Sequence, residues 1–337
     1  MKQNVYIIAE VGPNHNGDVN IALQMVEQIA KTGVDAIKFQ FSNPYELYSE
    51  DSFKATYQKQ NDAAPSAREM SLRFQLKQED HILVYNKCKE LGVDYICTAF
   101  DIGSLRFLEE HCDMAYYKIA SGEIFSLDLL NYMAKHDRPI ILSTGMATYD
   151  EVGKSLKILN KYSRKNITIL HCISAYPAKY EEVNLMNILE LKERFGYKVG
   201  FSDHTIGNEC AIAAVVMGAC MIEKHVTYDR NADGPDHKAS ITIEELGELV
   251  KSIRNIELAM GVRERKFSET QGEIAKVARK SIVSNRKICK GEIIKLDDIC
   301  YKRPGIGFLP IEQDHVIGKI AVCDIERDRV IKAEYIE

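Results

Sequence analysis

Two histidines sit where this chain could do chemistry. Two short apolar runs, Val199–Phe201 and Cys220–Glu223, each lead into one of them, His204 and His225. Between the runs, the Ala/Val/Ile-rich segment Asn208–Gly218 is long enough for one helix. A strand–helix–strand unit sets consecutive parallel strands side by side, so both imidazoles emerge at the same carboxyl edge of one sheet. Neutral imidazoles suit first-row divalent metals, and two on neighbouring strand ends can share one ion. Polar capping of two strands is the plainer alternative. Ser202, Asp203, Lys224, Asp236 and His237 crowd the same edge, and that company favours a site.

Polar groups also follow the other apolar runs. In chain order they are Glu10 with Asn14-His15-Asn16-Gly17, then Lys38 and Gln40, then Thr98. Lys118, Ser121 and Glu123 come next, followed by Ser143 and Thr144, and by His171, Ser174 and Tyr176. Lys38 and Lys118 with the hydroxyls of Thr98, Ser121 and Ser143 suit a doubly anionic ligand, a phosphate plus a carboxylate, because an ammonium is a compact point charge. Taken singly, each hydroxyl reads equally as a helix N-cap. Glu10 and Glu123 are candidate acid/base groups, with a salt bridge to a lysine as the alternative for each. His171 reads as a buried, hydrogen-bonded histidine below the site rather than a third ligand. Asp236 follows the turn Gly234-Pro235, which aims its carboxylate.

These residues need a scaffold that brings strand ends together. Eight short apolar strands are expected: Val5–Ala9, Ala36–Phe39, Tyr95–Cys97, Tyr116–Ile119, Pro139–Leu142, Ile167–Leu170, Val199–Phe201 and Cys220–Glu223. Amphipathic helical patterns such as Val19–Thr32 and Glu151–Tyr162 lie between them. Alternating strands and helices imply a parallel α/β sheet, and eight units over about 250 residues match a (β/α)8 TIM barrel, whose catalytic groups stand at the carboxyl ends of the strands. A doubly wound open sheet is the competing architecture. Ser42–Leu91 breaks the rhythm: a polar tract, Ser49–Arg68, precedes a helix, and the whole excursion is placed to fold over the barrel mouth. The barrel is expected over 1–262 and a charged linker with a short helix over 263–280. A compact β-rich module follows over 281–337, punctuated by Lys290-Gly291 and Pro304-Gly305. A module of that size is marginal alone, so it is expected to dock on a barrel. Arg303 stands on an exposed turn.

Composition removes several function classes. Hydrophobic content of 45%, charged content of 28% and a net charge of −5 describe a globular protein without a nucleic-acid surface. No apolar stretch reaches the roughly 18–20 residues of a membrane span. The start, MKQNVYIIAEVG, lacks a signal peptide's apolar core and reads straight into a strand. The nine cysteines include no C-x-x-C pair, and Cys97, Cys172 and Cys220 lie inside apolar runs as small hydrophobes. A cytoplasmic, reduced protein is expected.

The segments IIAEVGPNHNGD, DAIKFQ, YKIASGE, ILSTGM, LHCISAYP, GFSDHT, IEKHVTYDRNADGPDHKAS and KRPGIG appear in this order along nearly the whole chain. In them the chain resembles the sialic acid synthase family, which condenses phosphoenolpyruvate with an N-acylated mannosamine, and its last module resembles the antifreeze-like (SAF) domain of those enzymes. The resemblance implies a divalent metal, Mn2+ before Mg2+ or Co2+, held by His204 and His225, and a domain-swapped homodimer. It assigns phosphoenolpyruvate contacts to Lys38, Thr98, Lys118, Ser121 and Ser143. Ser174 stands where some members carry Asn. Glu10, Gln40, Glu123, Tyr176 and Asp236 match positions near the sugar and the reacting carbons. Arg303 matches an arginine that the partner subunit's antifreeze-like domain lays over the sugar's N-acyl group. Ser49–Glu69 departs from the family, and no role carries over to it. Among family substrates N-acetylmannosamine is expected first, the 2,4-diacetamido-2,4,6-trideoxymannose of legionaminate synthesis second and the pseudaminate precursor last. A non-catalytic sugar- or ice-binding protein is the alternative from another class.

Overall fold

A computed structural model describes residues 4–262 and 264–337. Residues 1–3, the start of the expected barrel domain, and Arg263, the start of the expected linker, lie outside the described residues. The chain parts into two compact units, one running up to Gly261 and the other from Val262 onward.

Eight parallel strands close the first unit into a barrel. They are β1 (Tyr6–Glu10), β2 (Ala36–Phe41), β3 (Asp94–Ala99), β4 (Tyr117–Ile119), β5 (Ile140–Ser143), β6 (Ile167–His171), β7 (Lys198–Asp203) and β8 (Met221–Thr227). Each pairs with the next, and β8 pairs back to β1 with Glu10 opposite His225, so the ring has no free edge. A short β9 (Ile241–Thr242) adds to the end of β8.

Side chains alternate across each strand, and the two faces do different work. Outward residues such as Ile7, Ile37, Phe39, Tyr95, Ile119 and Leu142 join the helices in one large apolar layer. Inward residues Ile8, Ala36, Ile96, Ile141, Leu170 and Met221 form a separate plug inside the barrel. At Gly200 a Cβ would stand 2.5 Å from the Met221 carbonyl and 2.6 Å from Leu170, so only glycine fits that crowded layer. The helices start where the sequence supplies caps. Asp18 accepts from the Asn20 amide to open Val19–Ala30, and Thr148 with Glu151 forms a capping box ahead of Tyr149–Leu159.

Two expectations need correction. Strands 7 and 8 run further than their apolar residues suggest, so Asp203 and His225 lie inside strands rather than in the loops after them. Asp203 is tolerated there because Lys224 and Thr205 bond its carboxylate. The excursion after β2 holds four helices, Pro44–Leu47, Thr56–Asn61, Ala67–Phe74 and Gln78–Glu90, where a polar tract and one helix were expected.

The second unit begins with the helix Glu269–Ala278 and continues as a small β structure. β10 (Ser281–Ser284) pairs antiparallel with β11 (Ile299–Lys302) over a core that includes Ile282, Ile288, Ile294 and Ile331. Arg303 follows β11 and is exposed.

Candidate active site

One step above the apolar plug, the barrel interior turns ionic. Glu10 on β1, Lys38 on β2, Lys118 on β4 and Glu223 on β8 all point inward, each no more than 3% exposed. Lys38 Nζ lies 2.6 Å from Glu10 and 3.7 Å from Glu223, while Lys118 Nζ stands 3.9 Å from Glu223. Two acids therefore face two ammonium groups. Hydroxyls complete the ring: Lys38 donates to Thr98 at 3.3 Å, Lys118 to Ser143 at 2.7 Å, and Ser202 to Glu223 at 2.9 Å. Gln40 donates to the other Glu10 oxygen at 2.6 Å.

Burial and neighbouring charge set each group's proton affinity. Burial pushes Glu223 up, but Lys118 and Lys38 overwhelm it and draw the carboxyl down to about 2. Glu10 is raised instead, by burial and by the nearby negative charge of Glu223, against the pull of Lys38. Burial lowers the Lys118 ammonium below the ordinary lysine value despite Glu223. For Lys38 burial acts downward too, yet Glu10 and Glu223 outweigh it and hold the ammonium above that value.

Above this ring stand the two imidazoles, with centroids 5.5 Å apart. His204 Nδ1 donates to the Ile173 carbonyl at 2.6 Å, which fixes the tautomer and leaves Nε2 with its lone pair. Ser202 Oγ is 3.2 Å from that Nε2, but its proton is engaged with Glu223. His225 Nδ1 is buried with no hydrogen-bond partner among the described residues, 3.7 Å from Asp236. Burial pushes both rings down to about 3, assisted by the facing imidazole for His204 and by Lys38 for His225, so both are neutral at pH 7. Neutral rings, a free lone pair and an orphaned buried nitrogen fit a divalent ion. Among the described residues no group of three or more His, Cys, Asp or Glu side chains is arranged to hold a metal. An ion here would take two ligands from the protein and the rest from substrate or water.

The loops after β1 and β8 bind each other and place the last groups. Asn14 donates to the Val226 carbonyl and to Ser240, and His237 bridges Thr227 and Asn16. Asp236 is thereby held beside His225, where burial and the negative charge of Glu10 push it up to about 7. Tyr176 packs its ring 4.3 Å from His204, and its hydroxyl, raised well above its ordinary value by burial, stays protonated.

The remaining expected residues are distributed unevenly. Ser121 and Ser174 meet at 2.8 Å, and a side chain at Gly145 would collide with Ser174 and Cys172. Glu123 is not part of the ionic ring; it accepts from Ser126 in the turn after β4. His171 faces outward and bonds the Val183 carbonyl at 2.6 Å, as a structural histidine does. Arg303 belongs to the second unit, beside Lys302 and Pro304. Sequence reasoning missed Glu223, although it shares strand parity with His225. It also missed the excursion's Tyr48, Tyr57 and Met70, which wall a cavity of about 300 Å3 with Gln40, His225 and Asp236.

Two family models match the chain. The model of the NeuB family matches residues 25–265, and that of the SAF domain matches residues 279–337. The N,N'-diacetyllegionaminic acid synthase of Campylobacter jejuni is 40% identical over 331 residues, covering 97% of this chain and 98% of that protein. That of Legionella pneumophila is 38% identical over 337 residues, 98% of this chain and 94% of its own. The crystal structure of the N-acetylneuraminic acid synthetase from Leptospira borgpetersenii superposes with a TM-score of 0.71 at 32% identity, over 81% of this chain and 90% of that one. A closed barrel with an ionic rim, a family match along most of it and relatives spanning nearly the full length have one common meaning: this chain belongs to the NeuB family of nonulosonic acid synthases and carries a SAF domain.

Proposed function

We propose that this chain joins phosphoenolpyruvate to an N-acylated mannosamine-type sugar and water, giving a nine-carbon sugar acid and phosphate. The observation that carries this reading is the buried ring of two lysines and two carboxylates directly beneath two neutral imidazoles. Burying four charges is costly unless they pair, and an anionic substrate gives two lysines at the bottom of a pocket a purpose.

In this reading Lys38 and Lys118, with Thr98, Ser121, Ser143 and Ser174, hold the phosphate and carboxylate of phosphoenolpyruvate and fix the face of its double bond, a proximity effect. Gln40, Tyr176 and Asp236 orient the open-chain sugar with its aldehyde toward the imidazoles. A divalent ion, Mn2+ in the first instance, would be held by His204 and His225 and would supply Lewis-acid polarisation of the aldehyde oxygen. C3 of phosphoenolpyruvate then forms the new bond to the aldehyde carbon, and C2 becomes electron-poor. Water adds to C2, losing its proton to a carboxylate, and the tetrahedral carbon expels phosphate by C–O cleavage. Glu10 suits the base role better than Glu123, because it lies inside the ring beside Lys38 and Gln40 whereas Glu123 is engaged by Ser126 in the turn after β4. Asp236, pushed up to about 7, suits proton donation to the new alkoxide.

The two relatives named for N,N'-diacetyllegionaminic acid stand at 40% and 38% identity, against 32% for the neuraminic acid structure. That order supports 2,4-diacetamido-2,4,6-trideoxymannose over N-acetylmannosamine, the sugar expected first although the two branches share the motifs. Phosphate release from phosphoenolpyruvate, measured with each sugar in turn, tests both points. The trideoxy sugar is expected to give the larger kcat/KM. Release with neither sugar would defeat the reading, and a larger value with N-acetylmannosamine would reverse the substrate order.

A further inference from the structure

We propose that Lys224 and Asp203 are positioning residues: a buried pair outside the barrel wall that holds His204 and His225 in place for a shared divalent ion. The inference rests on the metal reading above. Asp203 and Lys224 are direct register partners on β7 and β8. Both lie on the outward face, away from the ionic ring, and both are 1% exposed. Lys224 Nζ donates to Asp203 Oδ2 at 2.8 Å and to the Thr205 carbonyl at 2.7 Å. The other Asp203 oxygen accepts from the Thr205 amide at 2.9 Å and from its hydroxyl at 2.7 Å.

The layer around this pair is apolar. The helix Glu209–Val216 packs against β7 and β8 and buries Ala211, Ala214 and Val215 there. An ion pair in such a layer seldom adds net stability over well-packed hydrophobic residues of the same size, so stability does not account for it. Its position does. His225 follows Lys224 directly, and His204 lies between the two residues that the pair ties together, Asp203 and Thr205. Strand alternation then turns His225 inward whenever Lys224 is fixed outward. The bond to the Thr205 carbonyl closes the turn on the far side of His204, while Ile173 holds its ring from within. One ammonium thus sets the backbone of both imidazoles.

Partners that orient metal ligands typically change metal affinity about 10–100-fold when removed. The test is direct Mn2+ binding to the full-length protein, followed by loss of the free-ion electron paramagnetic resonance signal at a temperature where every variant is folded. Lys224→Met is expected to raise the Kd about 10-fold or more. Lys224→Arg, which keeps the charge and the reach to Asp203, should recover most of that loss. Arg254→Met breaks an ion pair with Asp35 away from the ring and serves as a destabilised control expected to bind as the wild type does. Wild-type affinity in Lys224→Met would overturn the proposal. Should that variant fail to fold, Asp203→Asn, of equal size and with one oxygen left for Thr205, is read the same way: weaker binding supports the proposal and unchanged binding overturns it. A wild type that binds no Mn2+ would remove the metal reading itself, and this inference with it.

Discussion

Replacing Lys38 by Met probes the ionic ring at its centre. Lys38 Nζ sits 2.6 Å from Glu10 and 3.7 Å from Glu223, and all three groups are buried. At an effective dielectric of about 20, Coulomb's law gives gross attractions of about 6 and about 4 kcal/mol for those distances. Most of that is offset by the desolvation of the charges, so the net value is far smaller. Removing only the cation leaves two buried carboxylates with Lys118 near Glu223 alone, and breaking a buried pair in this way destabilises by about 3–5 kcal/mol. Glu10 limits the loss, because burial already raises its proton affinity and it can protonate. Lys38→Met/Glu10→Gln removes both partners, so the double variant should be more stable than the sum of the single losses by about 2 kcal/mol. Urea unfolding of the barrel measures the cycle, and phosphate release from phosphoenolpyruvate measures function in the same samples. All three variants are expected to lose turnover, whatever their stability. A Lys38→Met protein within about 1 kcal/mol of wild type would show a solvated pair, and normal turnover in it would remove the lysine from the phosphate grip.

Three further outcomes are expected. Chelation or His204→Ala should stop turnover while leaving the circular dichroism spectrum intact, with Mn2+ restoring only the chelated wild type; full activity without metal would refute the Lewis-acid role. Acid should weaken the fold through buried histidines: His81 is pushed down to about 3 by burial, with the positive charge of a protonated His15 adding to it. A folded-state value below the unfolded 6.5 means that the unfolded chain binds more protons, so stability is lost as pH falls from 6.5 toward 3, by about 2 kcal/mol at pH 5 for this group. The stability gap between wild type and His81→Leu should therefore shrink by that amount between pH 7 and pH 5, and a constant gap would contradict the assignment. Finally, we propose that Arg303 acts across a dimer, so Arg303→Ala mixed with His225→Ala should regain part of the activity. Absence of recovery in samples shown to have exchanged subunits would count against that.

Much of this site was legible because parallel strands make one rule do two jobs. An apolar run marks a strand, and the first polar residue of the right parity marks the rim. Lys38, Thr98, Lys118 and Ser143 all follow that rule, and His204 stands two positions beyond Ser202, which follows it on β7. Glu223 escapes the rule because the apolar run of the eighth strand ends on it, although Met221, Glu223 and His225 share one face of β8. Glu123 matches Glu10 in residue type alone, and the turn that hands it to Ser126 keeps it out of the ring. Tyr48, Tyr57 and Met70 were out of reach for another reason. Their helices are 4, 6 and 8 residues or next to such pieces, too short to show a period. They are held by tertiary ties, with Lys54 and Arg73 converging on Asp62, and Asn61 bonded to the Pro235 carbonyl and to Lys238. No local pattern in the sequence encodes such ties.

The barrel's interior explains why fold and chemistry cannot be separated here. On five strands the inward residue of the apolar plug is followed two positions later by a polar group: Ile8 by Glu10, Ala36 by Lys38, Ile96 by Thr98, Ile141 by Ser143, Met221 by Glu223. A shift of one residue in any strand would exchange these for Ala9, Ile37, Cys97, Leu142 or Ile222, which belong to the outer apolar layer. Such a slip would bury a charge or a hydroxyl against the helices and leave the ring incomplete, so hydrophobic packing and catalytic geometry select the same register. Lys224 is an exception to that logic on β8, a charge on the apolar side, and it is tolerated only because Asp203 stands opposite. That is why the pair reads as a device for the imidazoles beside it rather than as a contribution to the core.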